Sequence, residues 1–286
     1  MSRGKLLGAI AAVLAVNVLA FILVPPFPPG DPDGEFNFPG DAITANIHLP
    51  APHVVFGDKG TDAIVQFSPS ITDTLFTSWL VMIAVLALVL VATRRQDAVP
   101  GRLQNIAEFI YEALRNFAVQ LGGPKAERYV PLFAGLFLYI LMSNWSGLLP
   151  FIGRVEGLRA PTSDVNITIG LALVSFAVFH LEGVRALGIR GYLGKFFPFG
   201  EFRNGVVAGA IAMFVGMIEL MLEFVKPLTL SMRLFGNIFG GETALGVITA
   251  VTIAVIPVAL VSLEFLLNFV QALIFATLTL MFTLAA

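Results

Sequence analysis

Cysteine is absent from this chain, which removes disulfides, thiolate metal sites and cysteine nucleophiles together. Charge is scarce as well: 13% of the 286 residues are Asp, Glu, Lys or Arg, about half the ~25% usual in soluble domains. The net charge of −2 holds no basic excess, so bulk charge points away from a nucleic-acid partner. No GxxxxGK[ST] phosphate loop occurs. The nearest string, Gly188 to Lys195 (GIRGYLGK), has the wrong glycine spacing, runs on into Phe196, and reads as a basic loop. No nucleotide site and no cofactor is expected.

What fills the chain is apolar. Hydrophobic residues make up 57% of it, and Phe alone occurs 26 times. Apolar segments run over 6–24, 75–93, 130–150, 165–185, 204–250 and 253–284, several near or beyond the ~20 residues a helix needs to cross a bilayer. A soluble helical protein would need polar faces that most of these segments lack. The expected class is an all-α polytopic membrane protein. Residues 1–24 follow Arg3 and Lys5 without an A-x-A pattern and read as a retained signal-anchor helix, the alternative being a signal peptide. Residues 25–72 form an acidic Pro/Gly-rich loop, and 73–286 the membrane domain. His48 and His53 lie in the loop at spacings that match no metal-ligand motif.

Basic residues accumulate on the cytoplasmic side of membranes. Arg94, Arg95, Arg102, Arg115, Lys125 and Arg128 therefore place 94–128 inside, and Arg185, Arg190, Lys195 and Arg203 return the chain there. The acidic loop and 151–164 fall outside. Within the first basic stretch, Leu103, Ile106, Phe109, Ile110, Leu114 and Phe117 repeat at helical spacing over 102–120. This predicts an amphipathic helix lying on the membrane surface. Segment 204–250 is too long for one upright span: about 47 residues at ~1.5 Å each reach roughly 70 Å, against a core of ~30 Å. Either the chain turns near Lys226-Pro227 to make two spans, or one long bent helix lies steeply tilted.

Six ionisable side chains interrupt the apolar C-terminal third: Glu219, Glu223, Lys226, Arg233, Glu242 and Glu264. Such charges usually mark an ion or proton path. At ~100° per residue, Glu219, Glu223, Lys226, Arg233 and Asn237 fall within about 40° of one line, if Pro227 kinks the helix without rotating it much. Glu223 suits Lys226 at i+3, a pair that reads equally as structural. Arg233 has no acidic residue at i±3 or i±4, and its guanidinium cannot shed its proton. Its partner must come from elsewhere, unless it snorkels to an interface. On the last segment Glu264, Asn268 and Gln271 share a face suited to a watery cleft, with core hydrogen bonding the plain alternative for the two amides.

Ser231 to Glu242 reads SMRLFGNIFGGE, with Lys226-Pro227 upstream of the arginine. This closely resembles the signature of subunit a of rotary F-type ATP synthases. Family-like strings follow the right order: VPGRLQNIAE at 99–108, LMSNWSGLLP at 141–150, SDVNIT at 163–168 and QALIF at 271–275. The similarity runs from about residue 70 to the end.

The resemblance implies about four near-perpendicular helices, a long tilted C-terminal helical hairpin and the cytoplasmic surface helix, with Ala286 inside. It implies a non-catalytic, proton-conducting stator subunit with two half-channels against a rotating c-ring, coupling proton flow to ATP synthesis. Arg233 matches the stator arginine facing the ring carboxylate. Glu242 matches an outer half-channel residue, and Glu264 stands where some relatives have His. Glu219 matches an inner half-channel position, with Glu223 one turn on, and Asn237 and Gln271 match residues flanking the arginine. Asn144, Thr162, Asp164 and Asn166 resemble outer-mouth polar positions, and Asn268 joins the Glu264 face. Asn166-Ile167-Thr168 also fits a glycosylation sequon, read as chance. Gly147 departs from relatives that carry a carboxylate there, which throws more of the work onto Glu242 and Glu264. Implied partners are c-ring subunits, b-type peripheral stalk subunits, the rest of the synthase and membrane lipids. The implied location is a bacterial inner membrane. The rival reading is an autonomous ion-coupled transporter, but no internal repeat accompanies the charges.

Overall fold

Every long apolar run in the described chain is a helix, because only a helix satisfies its own backbone hydrogen bonds inside lipid. The computed structural model describes residues 54–56, 71–94, 101–149, 158–251 and 255–285. Segment 1–24, most of the 25–72 loop with His48 and His53, and Ala286 lie outside the described residues. A short antiparallel pair, β1 (Val54–Phe56) and β2 (Ile71–Thr72), leads into the first described helix.

That helix, α1 (Asp73–Thr93), opens on Thr72, whose hydroxyl accepts from the Leu75 N–H, with Asp73 in the first turn. Both complement the exposed N–H groups of a helix start. Helix α2 (Arg102–Gly122) carries the expected amphipathic pattern and is too polar to be a span. Leu114 and Ala118 are buried and Phe117 stacks on Phe133, while Ile106 and Phe109 stay exposed. One end of the apolar face therefore packs on the bundle and the other is left for lipid. Gly123, at φ 69°, ends the helix with its N–H on the Val119 carbonyl, a left-handed position that suits glycine.

Helix α3 (Val130–Gly147) is the enclosed centre, buried along its length from Val130 to Ser146, whereas α1 buries only its first turns, Asp73 to Ser78. Helix α4 (Val165–Phe196) starts at Asp164, whose carboxylate accepts from the Asn166 N–H at 2.8 Å. Helix α5 (Val206–Val251) then runs unbroken for 46 residues with Pro227 inside it. A single continuous helix is what forms, and the two-span alternative falls. At ~69 Å it exceeds twice the ~30 Å core, so it cannot stand upright. Helix α6 (Val255–Ala285) returns beside it.

Five helices among the described residues are long and apolar enough to cross a membrane: α1, α3 with the turn before it, α4, α5 and α6. The core joins Phe133, Phe137 and Ile140 of α3 to Leu230 and Leu234 of α5 and to Ala272, Phe275, Ala276 and Leu280 of α6. The alanines let α6 come close. Its end reaches α2, where a Cβ on Gly122 would stand 3.7 Å from Leu284 Cγ.

Candidate functional site

The charged stripe of α5 meets a different neighbour at each level, because so long a helix crosses α4 first and α6 later. Near Pro227 the charges are paired. Lys226 Nζ donates to Glu223 Oε1 at 2.7 Å, and Lys195 Nζ, from the end of α4, lies 3.1 Å from Glu219 Oε1 and 4.0 Å from Glu223 Oε1. Glu223 is 5% exposed. A carboxylate so enclosed needs a cation beside it. Lys226 also lies 5.4 Å from the Phe179 ring centre and 5.0 Å from that of Phe282. The two rings hold the ammonium between α4 and α6 by cation–π attraction.

Two turns on, Arg233 is exposed. Among the described residues its guanidinium has no ion pair, hydrogen bond or aromatic ring against it. Alongside it Leu228 and Met232 are exposed, and nothing lies within 4 Å of where a Cβ would stand on Gly236 or Gly240. A fixed positive charge thus sits on a bare, apolar, smooth strip of helix. Ser231, two residues earlier, faces inward and hydrogen-bonds Thr168 of α4 at 3.2 Å.

Beyond Arg233 the stripe meets α6. Asn237 Nδ2 donates to Asn268 Oδ1 at 3.0 Å, and Asn144 Nδ2 of α3 reaches the Asn268 carbonyl at 3.5 Å. Glu264, 7% exposed, lies across Gly241 so closely that a Cβ there would stand 2.8 Å from its carboxyl carbon. The glycine makes room for the acid. Next along α5, Glu242 Oε2 is 3.9 Å from an Arg159 guanidinium nitrogen, and its other oxygen is 3.9 Å from where a Gly147 Cβ would be. The carboxylate of Glu242 therefore reaches the space that a side chain at 147 would enter. Asn144 Oδ1 and Gln271 Nε2 are buried with no hydrogen-bond partner among the described residues. Buried amide atoms in that state usually mark water or a transient partner.

The sequence-predicted residues thus separate into groups. Glu242, Glu264, Asn237, Asn268, Asn144 and Gln271 gather where α3, α5 and α6 meet, although among the described residues neither Asn237 nor Gln271 hydrogen-bonds Arg233. Glu219 and Glu223 stand apart with their lysines. Thr162, Asp164 and Asn166 form a third group at the start of α4. There Thr74 Oγ1 donates to Asp164 Oδ2 at 2.6 Å, Asn166 bonds the other Asp164 oxygen, and Thr162 Oγ1 is buried without a partner among the described residues. Sequence reasoning missed Lys195, Arg159, Thr168 and Ser231. Each faces a partner remote in sequence, and no local spacing could have signalled it.

Comparison with known proteins gives one answer. The family model described as "ATP synthase A chain" matches residues 75–283. The protein named "ATP synthase subunit a" from Gloeobacter violaceus is 35% identical over 211 residues, which cover 72% of this chain and 80% of that protein. The protein named "ATP synthase subunit a, chloroplastic" from Stigeoclonium helveticum is 36% identical over 211 residues, with the same coverage.

Proposed function

This chain belongs to the ATP synthase A chain family, and from that premise we propose that it is the proton-conducting stator of the enzyme's membrane sector. It is an integral membrane protein of the ATP synthase and serves proton transport and ATP synthesis. The finer reading rests on one observation: Arg233 is a permanent cation, exposed on an apolar strip of α5 and without a counter-charge among the described residues. An unpaired cation in lipid is too costly to persist, so a partner subunit supplies the anion.

The chemistry follows from that charge. A ring carboxylate beside the guanidinium is favoured in its ionised form and releases its proton. The same carboxylate facing lipid is desolvated and holds its proton. The fixed cation therefore keeps two half-channels from joining. Each proton crossing 100 mV yields ~2.3 kcal/mol to bias rotation. Glu242, Glu264, Asn144, Asn237, Asn268 and Gln271 line the outer half-channel, with Thr162, Asp164 and Asn166 at its mouth. Glu219, with Glu223 behind it, serves the inner one. The bare strip at Gly236 and Gly240 lets a ring helix approach closely, and α1 and α2 are left for the b-type stalk and lipid. The basic stretch around α2 marks the cytoplasmic side, and the contact of Leu284 with Gly122 supports a cytoplasmic C-terminus, in a bacterial inner membrane. The subunit itself catalyses nothing.

Replacing Arg233 with Ala is expected to abolish ATP-driven proton pumping in membrane vesicles while the complex still assembles. Pumping at the parental rate would overturn the reading.

A further inference from the structure

The sequence around 188–204 looks like a basic loop, yet the structure makes it an ordered strap across α5. Helix α4 breaks at Gly188, whose φ of 71° and ψ of 161° suit glycine alone. The redirected turn buries Tyr192 and Phe196 edge to face, 5.4 Å between ring centres. The strap then lies on the backbone of α5 at two glycines. A Cβ on Gly216 would stand 2.9 Å from the Phe196 carbonyl carbon and 3.2 Å from Pro198 Cδ, and one on Gly209 would stand 2.9 Å from Phe202 Cα. Less than a turn beyond Gly216, the strap delivers Lys195 to Glu219 at 3.1 Å.

Among the described residues Lys195 is the sole ion partner of Glu219, since Lys226 is taken by Glu223. The Glu219 side chain is 38% exposed and long, so without a fixed cation it would spread over its rotamers. The Lys195 ammonium also ties Glu219 to the Glu223–Lys226 pair, giving a run of alternating charges between α4 and α5. We propose that Lys195 is a positioning residue for proton passage, delivered by the glycine-seated strap to hold the Glu219 carboxylate at one place beside α5. This rests on the reading of Glu219 as an inner half-channel residue.

The test uses vesicles carrying the assembled ATP synthase, with proton conduction and ATP-driven pumping expressed per assembled complex. Lys195→Gln should lower conduction about tenfold, the lower end of the cost of losing a residue that orients a functional group. Lys195→Arg should restore most of it. Glu219→Gln should fall by a similar factor, and the double variant K195Q/E219Q should be no worse than E219Q, because the lysine acts through the glutamate. Gly216→Ala adds a methyl against the Phe196 backbone, lifts the strap without touching a charge, and should reproduce the K195Q loss. Parental conduction in K195Q or in assembled G216A overturns the proposal, as does a multiplied loss in the double variant or no rescue by Lys195→Arg. Parental conduction in E219Q removes Glu219 from the path and this inference with it, while Arg233→Ala reports separately on the stator reading.

Discussion

Two sets of carboxylates flank Arg233 along α5, and they are held in opposite ways. Toward the start of the helix, Glu219 and Glu223 face two lysines, so the group is neutral as a whole. Toward its end, Glu242 has the Arg159 guanidinium at 3.9 Å while Glu264 of α6 has no ion pair among the described residues, and the amides around them have polar atoms that are partly unmatched. The first arrangement holds its carboxylates in place, Glu223 most firmly, because a buried charge that loses its partner is expensive. The second leaves acids that are close together and incompletely paired, which is what a proton relay requires. On the proposed reading α5 and its neighbours carry a clamp and a relay, with a cation between them that has no counter-charge among the described residues.

The comparison breaks most sharply if the clamp is opened. Lys226→Met leaves Glu223, 5% exposed, without its closest cation, and should destabilise the fold by on the order of 3 kcal/mol. The readout is loss of assembled complex and a lower melting temperature in detergent. Adding Glu223→Gln should recover most of that loss, since the uncompensated charge goes with it. If Lys226→Met alone melts like the parent, the clamp does not exist.

The relay should respond in function and not in stability. Glu242→Gln with Glu264→Gln should leave assembly intact and lower proton conduction on the order of tenfold, each single change costing less. Parental rates in the double variant would remove both from the path. A subtler change sharpens the same point. Gly241→Ala meets only the tip of the Glu264 side chain, so the chain should fold normally while its carboxylate is pushed aside. Conduction is expected to fall a few-fold, on the principle that small displacements of reacting groups are felt in rate. The smallest effect belongs outside both regions. Arg115 and Glu127 form an ion pair open to solvent between α2 and the turn before α3. Side-chain hydrogen bonding and the charge of Glu127 raise the Arg115 pKa further above its already high value. Arg115→Ala should nevertheless leave the melting temperature and conduction unchanged, because exposed pairs contribute little.

Much of this was legible in one dimension. The expected segments 75–93, 130–150, 204–250 and 253–284 correspond to α1, α3, α5 and α6 within a few residues, because twenty apolar residues in a row have little choice of structure. The face formed by Glu264, Asn268 and Gln271 was readable from helical spacing alone, and all three side chains are buried. The end of α4 was not readable. Beyond residue 185 the chain becomes basic and glycine-rich, so hydropathy ends the span there, while the chain bends at Gly188 and resumes as helix to Phe196. What holds it is Tyr192 and Phe196 seated in the fold, a fact about neighbours and not about local composition.

Sequence alone determined the class of the molecule, the position of most of its described spans, and the lack of any acidic residue within a turn of Arg233, since each follows from spacing along a single strand of residues. Tertiary structure decided which charges meet: Lys195 with Glu219, Arg159 with Glu242, Glu264 over Gly241. Those pairings depend on where α4, α5 and α6 cross, and crossing is set by side-chain volume at glycines and alanines, where the absence of a methyl group lets one backbone approach another.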